Sequence, residues 1–222
     1  MKPSRLDVLP SPQRRLWPEL AAVRDDGLVL YGGTAVALFL GHRASVDFDF
    51  FTHLRFQPDD VLKRFHFLRG AEILESRPDT LTVLVRSGDR DADRVKISFF
   101  GGLDFGRLAD ARQTPDGVLT VAAPEDLLAH KLKVVMQRIE ARDYQDIDAL
   151  LGSGLDLATG LGGAQALFAA FSPQECLKAL TYFEGDALRD LQAVLRSRLV
   201  NAAKRVRSVP QVAVKARTLG GS

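Results

Sequence analysis

Apolar residues in the first 122 positions come in short runs whose period switches between that of strands and that of helices. Val29-Leu30-Tyr31 reads as a strand, residues 35–40 as an apolar helix stopped by Gly41, and residues 46–51 as a second strand. Residues 13–25 fit a helix. Residues 58–67 fit another, opened by Pro58 and by the pair Asp59-Asp60, whose charge complements a helix N-terminus. Residues 72–76 and 80–86 alternate apolar and polar positions around Arg77-Pro78-Asp79, the pattern of a half-buried hairpin. Strands at 94–100 and 118–121 follow. Past Pro124-Glu125-Asp126, a helix-start signature, the pattern turns helical, with further helices expected at 143–151, 163–170, 173–183 and 187–207. The expected class is α+β: a mixed sheet with helices over 1–122, a helical domain over 123–207, and a flexible tail over 208–222.

Composition changes this picture little. The chain carries 30 Lys and Arg against 28 Asp and Glu, a net charge of +2, with basic residues gathered at Arg14, Arg15, Lys204, Arg205, Arg207, Lys215 and Arg217. Such clusters suit nucleic-acid phosphates or, equally, a solvated helix end and tail. The single cysteine, Cys176, excludes an internal disulfide and agrees with a reducing compartment. No apolar segment approaches a membrane span and the amino terminus shows no signal-peptide core, so a cytoplasmic protein without a membrane partner is expected.

The chemistry concentrates in Gly32-Gly33-Thr34 and Asp47-Phe48-Asp49. Paired glycines after a strand let the backbone approach a phosphate, which a side chain would block. Two aspartates at i and i+2 of a strand share a face, while Phe48 and Phe50 turn to the other. Adjacent carboxylates suit Mg²⁺ delivered with a nucleoside triphosphate. Each element alone is weak, since a lone Asp-x-Asp is usually a solvated strand face. Their order, strand, glycine turn, short helix and acidic strand, points to a metal-dependent nucleotide site with Gly32, Gly33 and Thr34 around the phosphate. Arg43 either neutralises an aspartate or reaches phosphate. If one helix ran from Lys131 through Arg142, then Lys131, Arg138 and Arg142 would lie within roughly 40° of each other at about 100° per residue. That row could clamp triphosphate oxygens, with Arg142 pairing Asp146 at i+4 as the equal alternative. Lys131 is expected to be exposed, so that its removal would cost little stability. His42, His53, His66 and His130 show no zinc-like spacing.

Three blocks together resemble the AbiEii/AbiGii-type nucleotidyltransferase toxins of the DNA polymerase β-like superfamily. They are Gly32-Gly33-Thr34-Ala35 through Asp47-x-Asp49-x-Phe51, Asp126-Leu127-Leu128-Ala129-x-Lys131-Leu132 with Arg138, and Arg142-Asp143-Tyr144-x-Asp146. The resemblance implies a nucleotidyltransferase-like fold and Mg²⁺-dependent transfer of a nucleoside monophosphate from an NTP. The acceptor would be RNA, such as a tRNA 3′ end, or a protein side chain, and a cognate antitoxin would act as partner. It implies Asp47 and Asp49 as metal ligands and catalytic residues together with Lys131. Gly32, Gly33, Thr34, Arg43, Arg138, Arg142, Asp143 and Asp146 would bind nucleotide. One departure stands out. Where such enzymes commonly carry a third carboxylate in a Val-Lys-Ile-Asp strand, this chain has Val95-Lys96-Ile97-Ser98, and a neutral hydroxyl is no general base near neutral pH. A degenerate fold that binds nucleotide or a partner, and a phosphoryl transferase, are the alternatives.

Overall fold

The computed structural model describes residues 1–89 and 93–219 in two compact units. Of these, the first comprises 1–89, 93–106, 110–123 and 216–219, and the second 107–109 and 124–215.

The first unit is built on a seven-stranded sheet: β1 (Val29–Tyr31), β2 (Asp47–Phe51), β3 (Glu72–Arg77), β4 (Thr80–Arg86), β5 (Arg94–Phe100), β6 (Arg112–Gln113) and β7 (Thr120–Val121), in the order β3-β4-β5-β2-β1-β7-β6. Strand β2 runs parallel to β5 and antiparallel to β1, so the sheet is mixed, in agreement with the α+β expectation. Across the central strands one face is apolar, because register aligns Leu30 with Phe50, Phe50 with Phe99, Phe48 with Ile97, and Ile97 with Val83. All of these are buried, and Phe99 stacks between Phe50 and Phe65 at 5.6 and 5.7 Å. Burying this many aromatic and aliphatic side chains, each worth about 1.5–3 kcal/mol, anchors β2 in the middle of the sheet. The opposite face carries Asp47, Asp49, Lys96 and Ser98.

Helices α1 (Ser11–Leu16), α2 (Ala21–Asp25), α3 (Gly32–Leu40) and α4 (Pro58–Arg64) complete this unit. The helix expected over 13–25 is broken into α1 and α2 by a 3₁₀ turn at Trp17–Leu20, since Pro18 cannot donate the amide hydrogen bond of a continuing helix. Helix α3 ends as expected, with Gly41 left-handed at φ 63° and its amide on the Ala37 carbonyl at 2.8 Å. The hairpin β3–β4 forms, but β3 is exposed on both faces and so is not half-buried as its alternation suggests. It lies outermost, where a register shift between Ile73 and Glu75 and the charges of Glu72, Glu75 and Arg77 protect the sheet edge.

The second unit contains α5 (Pro124–Val134), α6 (Ala141–Gly152), α7 (Leu157–Leu167), α8 (Pro173–Thr181) and α9 (Ala193–Arg205). Helix α7 starts six residues before the expected 163, because Asp156 caps it by accepting from the Thr159 amide at 2.8 Å. The glycines of Gly160-Leu161-Gly162-Gly163 are packing sites. A Cβ on Gly160 would strike Leu128, and one on Gly162 would come within 2.2 Å of the Pro210 carbonyl. Pro210 and Val212, within the expected flexible tail, therefore lie against Gly162 of α7, and the Lys215 amide bonds the Arg107 carbonyl at 2.9 Å. The end of that expected tail, 220–222, lies outside the described residues. Cys176 is buried with its thiol pushed up to about 12 by burial, which makes it an inert core residue. Among the described residues no helix is long and apolar enough to cross a membrane.

Candidate functional site

The site-forming segment of the first unit begins where β1 ends. Gly32 sits at φ 73°, and an added Cβ would lie 2.4 Å from the Asp49 Oδ2. Only glycine accommodates both that backbone conformation and that carboxylate. The start of α3 is thereby set directly against Asp49, whose register partner on β1 is Tyr31. A helix N-terminus presents amides without helical partners and a partial positive charge, so it favours an anion.

The Thr34 side chain anchors the segment from within. Its hydroxyl is buried, lies 2.7 Å from the Ser45 Oγ and donates to the Asp47 carbonyl. The Gln13 amide donates to the neighbouring Val46 carbonyl. These bonds pin the entry to β2, so Thr34 and Ser45 position Asp47, and the Thr34 side chain is turned away from solvent. Arg43, in the same connection, donates to the Ala44 carbonyl at 3.0 Å.

Across the sheet, β5 places Lys96 beside Asp47 and Ser98 beside Asp49. The Lys96 Nζ lies 3.0 Å from the Asp47 Oδ2, and Ser98 is buried. Among the described residues no three His, Cys, Asp or Glu side chains converge as a metal cluster, so the acidic set here is the pair Asp47 and Asp49. The Asp47–Lys96 pairing was not drawn from the sequence. Alternation along β5 puts Lys96 and Ser98 on one polar face, but which acidic residues face them depends on a strand register that only the fold fixes.

In the second unit, Lys131, Arg138, Asp143 and Asp146 come together, though not as a row on one helix. Helix α5 stops at Val134 and α6 begins at Ala141, so the geometry expected for a single helix through Lys131 and Arg142 does not hold. The chain turns back instead, and the Lys131 Nζ is held by Asp143 Oδ1 at 2.7 Å and Asp146 Oδ2 at 2.6 Å. Side-chain exposures of 6% for Lys131, 1% for Asp143 and 0% for Asp146 make this a buried ion cluster, so the expectation of an exposed Lys131 is corrected. The Arg138 Nε adds a third cation contact, to Asp143 Oδ2 at 2.9 Å. Burial alone would raise the Asp143 carboxyl; the charges and hydrogen bonds of Lys131 and Arg138 outweigh it and hold the group below the usual carboxylate range. Arg142 is exposed and faces Glu140 at 3.4 Å, while the Asp146 expected to pair with it is bound to Lys131.

Beside this cluster an open cleft of about 660 Å³ is lined by Arg138, Ile139, Tyr144, Lys178 and Tyr182, among others. Asp126 is also buried, and its two oxygens accept the Leu108 and Ala109 amides at 2.6 and 3.1 Å. Burial pushes its carboxyl up to about 6 in spite of those bonds. His130 is pushed down to about 4, by burial first and by the neighbouring Lys131 second.

The family model of the nucleotidyl transferase AbiEii toxin, type IV toxin–antitoxin system, matches residues 19–211. A curated relative, the uncharacterized protein aq_aa25 of Aquifex aeolicus (strain VF5), is 28% identical over 158 residues, covering 70% of this chain and 73% of its own. A crystal structure from H. pylori described as a nucleotidyltransferase aligns with TM-score 0.58 and 17% identity over 87% of this chain and 92% of that one, which shows the shared fold. An antigenic nucleotidyltransferase-like protein from Paracoccidioides brasiliensis aligns at TM-score 0.47 and 17% identity, over 92% and 96% of the two chains.

Proposed function

The chain belongs to the AbiEii family of nucleotidyltransferase toxins, and we propose that it moves a nucleoside monophosphate from an NTP to an RNA or protein acceptor, with Mg²⁺ held by Asp47 and Asp49. The observation that carries this reading is the glycine turn at Gly32, where the start of α3 meets the Asp49 carboxylate with no room for a side chain. Phosphate-binding main chain and metal-binding acid are adjacent there.

The donor set fits a hard divalent ion. Asp47 and Asp49 offer carboxylate oxygens from one sheet face, with the Ser98 hydroxyl at the next register position. Mg²⁺ needs only one or two protein carboxylates, because water and substrate phosphates fill its remaining positions. When bound, such an ion neutralises triphosphate charge and orients the phosphates for in-line displacement. The chain's own residues do the rest. Gly32 and Gly33 admit a phosphate to the first amides of α3. Thr34 and Ser45 fix the start of β2, and Lys96 holds Asp47.

In the transfer, an acceptor oxygen or amine forms a bond to the α-phosphorus as that phosphorus loses its bond to the pyrophosphate oxygen, which departs with the electron pair. Ser98 provides no ionised base, so the acceptor proton goes to a base from substrate or solvent. Most of the rate then comes from positioning and electrostatics. In the helical unit, the Lys131 ammonium is already held by two carboxylates, whereas the Arg138 and Arg142 side chains reach solvent. Asp143 and Asp146 are then residues that hold Lys131 and Arg138 in place. Family membership supports a tRNA 3′ end or a protein as acceptor, and a partner antitoxin.

Incubating the protein with Mg²⁺, α-labelled NTPs and total RNA or lysate tests this. Label should appear on RNA or protein with wild type and be absent with Asp47→Asn/Asp49→Asn. Transfer by the folded double variant would overturn the site. Label that moves only from γ-labelled NTP would mean phosphoryl transfer. Ser98, at the position of the missing acid, favours one second reading, a fold that binds nucleotide without turning it over; metal-dependent NTP binding with no transfer would establish it.

A further inference from the structure

The polar face of the sheet in the first unit holds a four-residue square whose chemistry goes beyond an aspartate pair. Asp47 and Asp49 stand on β2, and Lys96 and Ser98 stand opposite them on β5 at matching register. In parallel neighbours at matching register the side chains emerge on the same side, so the ammonium and the hydroxyl occupy the positions from which further metal ligands would come. The next residues across the sheet offer no carboxylate: Leu84 lies beside Lys96 and Thr82 beside Ser98 on β4, and Tyr31 lies beside Asp49 on β1. A pair of divalent ions about 3.5–4 Å apart relies on carboxylates that bridge or cap both. Here the Lys96 Nζ already binds the Asp47 Oδ2 at 3.0 Å, with both side chains partly open to solvent.

We propose that Lys96 takes the place of a second divalent cation beside Asp47, so that the site holds one metal ion per chain and Lys96 supplies the remaining positive charge. The proposal rests on the assignment of Asp47 and Asp49 as metal ligands. Lys96 is then a positioning residue: it orients the Asp47 carboxylate and repels any ion placed next to it. An ammonium about 6 Å from a divalent ion at a water-exposed surface weakens that ion's binding by about tenfold. Ser98 complements it, since a neutral hydroxyl beside Asp49 adds a weak oxygen ligand without the charge a second ion needs.

Mn²⁺ alone is the probe, titrated against the nucleotide-free full chain and followed by the electron paramagnetic resonance of free ion, with circular dichroism confirming each variant's fold. Wild type is expected to bind one Mn²⁺. Lys96→Met should tighten it by about tenfold, as the ammonium no longer competes. Lys96→Arg keeps the charge and should leave Kd near the wild-type value. Lys96→Met/Ser98→Asp should bind two ions. An unchanged Kd in Lys96→Met, equal tightening in Lys96→Arg, one ion in the Met/Asp variant, or two aspartate-dependent ions in wild type would each overturn the proposal and leave the aspartate pair as the metal site. Undiminished Mn²⁺ binding in Asp47→Asn/Asp49→Asn would overturn the underlying assignment itself.

Discussion

Lys131→Met removes the one ammonium that lies between two buried carboxylates while keeping most of the side chain's volume. The Nζ approaches Asp143 and Asp146 at 2.7 and 2.6 Å, and each side chain of the trio is at most 6% exposed. At an effective dielectric of about 20, each contact is worth about 6 kcal/mol before desolvation is charged against it. The net worth of such a cluster against an apolar replacement is small, but removing a single partner strands the others. Asp143 keeps the Arg138 Nε at 2.9 Å, but the ammonium that Asp143 and Asp146 share is gone. Breaking a buried pair in this way costs about 3–5 kcal/mol. At about 2–4 °C per kcal/mol for a chain of this size, Tm should fall by about 6–20 °C. Thermal unfolding followed by circular dichroism measures it. Lys131→Met/Asp146→Asn should recover part of the loss, since one of the two buried anions is neutralised, with a coupling of about 1–3 kcal/mol. A fall of less than about 3 °C in the single variant, or strict additivity in the double, would refute the buried cluster.

Gly32→Ala should leave most of the fold but displace Asp49, because the new Cβ falls 2.4 Å from Oδ2 at a φ of 73°; the left-handed strain alone costs about 1–2 kcal/mol, and calorimetry with Mn²⁺ should show binding lost, whereas wild-type binding would contradict the close approach. Thr34→Val removes the hydroxyl shared by Ser45 and the Asp47 carbonyl, for an expected loss of about 1–3 kcal/mol in urea unfolding; an unchanged midpoint would show that these bonds do not hold β2. Two groups tilt the pH profile in opposite directions. His130, lowered from 6.5 to about 4, gives stability present above 6.5 and lost as pH falls towards 4, whereas Asp126, raised from 3.8 to about 6, makes the fold more stable as pH falls from about 6. His130→Gln should therefore unfold at higher urea at pH 5 than at pH 6.5, and a midpoint that fell with pH would contradict the raised Asp126 carboxyl.

What could be read from the sequence is what neighbours in the chain decide. The turn at Gly32, the stop at Gly41 and the shared face of Asp47 and Asp49 are local consequences of missing side chains and strand period, and each is where the pattern puts it. The break between α5 and α6 carries no such mark. Residues 135–140 contain neither glycine nor proline, and a helix through them is locally acceptable. The turn exists because Lys131 and Arg138 both reach Asp143, and a continuous helix would instead have placed Arg138 seven residues, about 10 Å, along its axis from Lys131. Charge pairing in the fold thus overrides a neutral local preference, and no periodicity reports it. The same holds for Lys96. Its alternation with Val95 and Ile97 marks a polar face, but its meaning comes from Asp47, brought alongside by a parallel crossover from β2 to β5. The apolar partners Phe48 and Ile97, Phe50 and Phe99, set that register. A slip of one residue would move Lys96 to the buried face and an aromatic ring to the site, so the packing of one face decides the chemistry of the other.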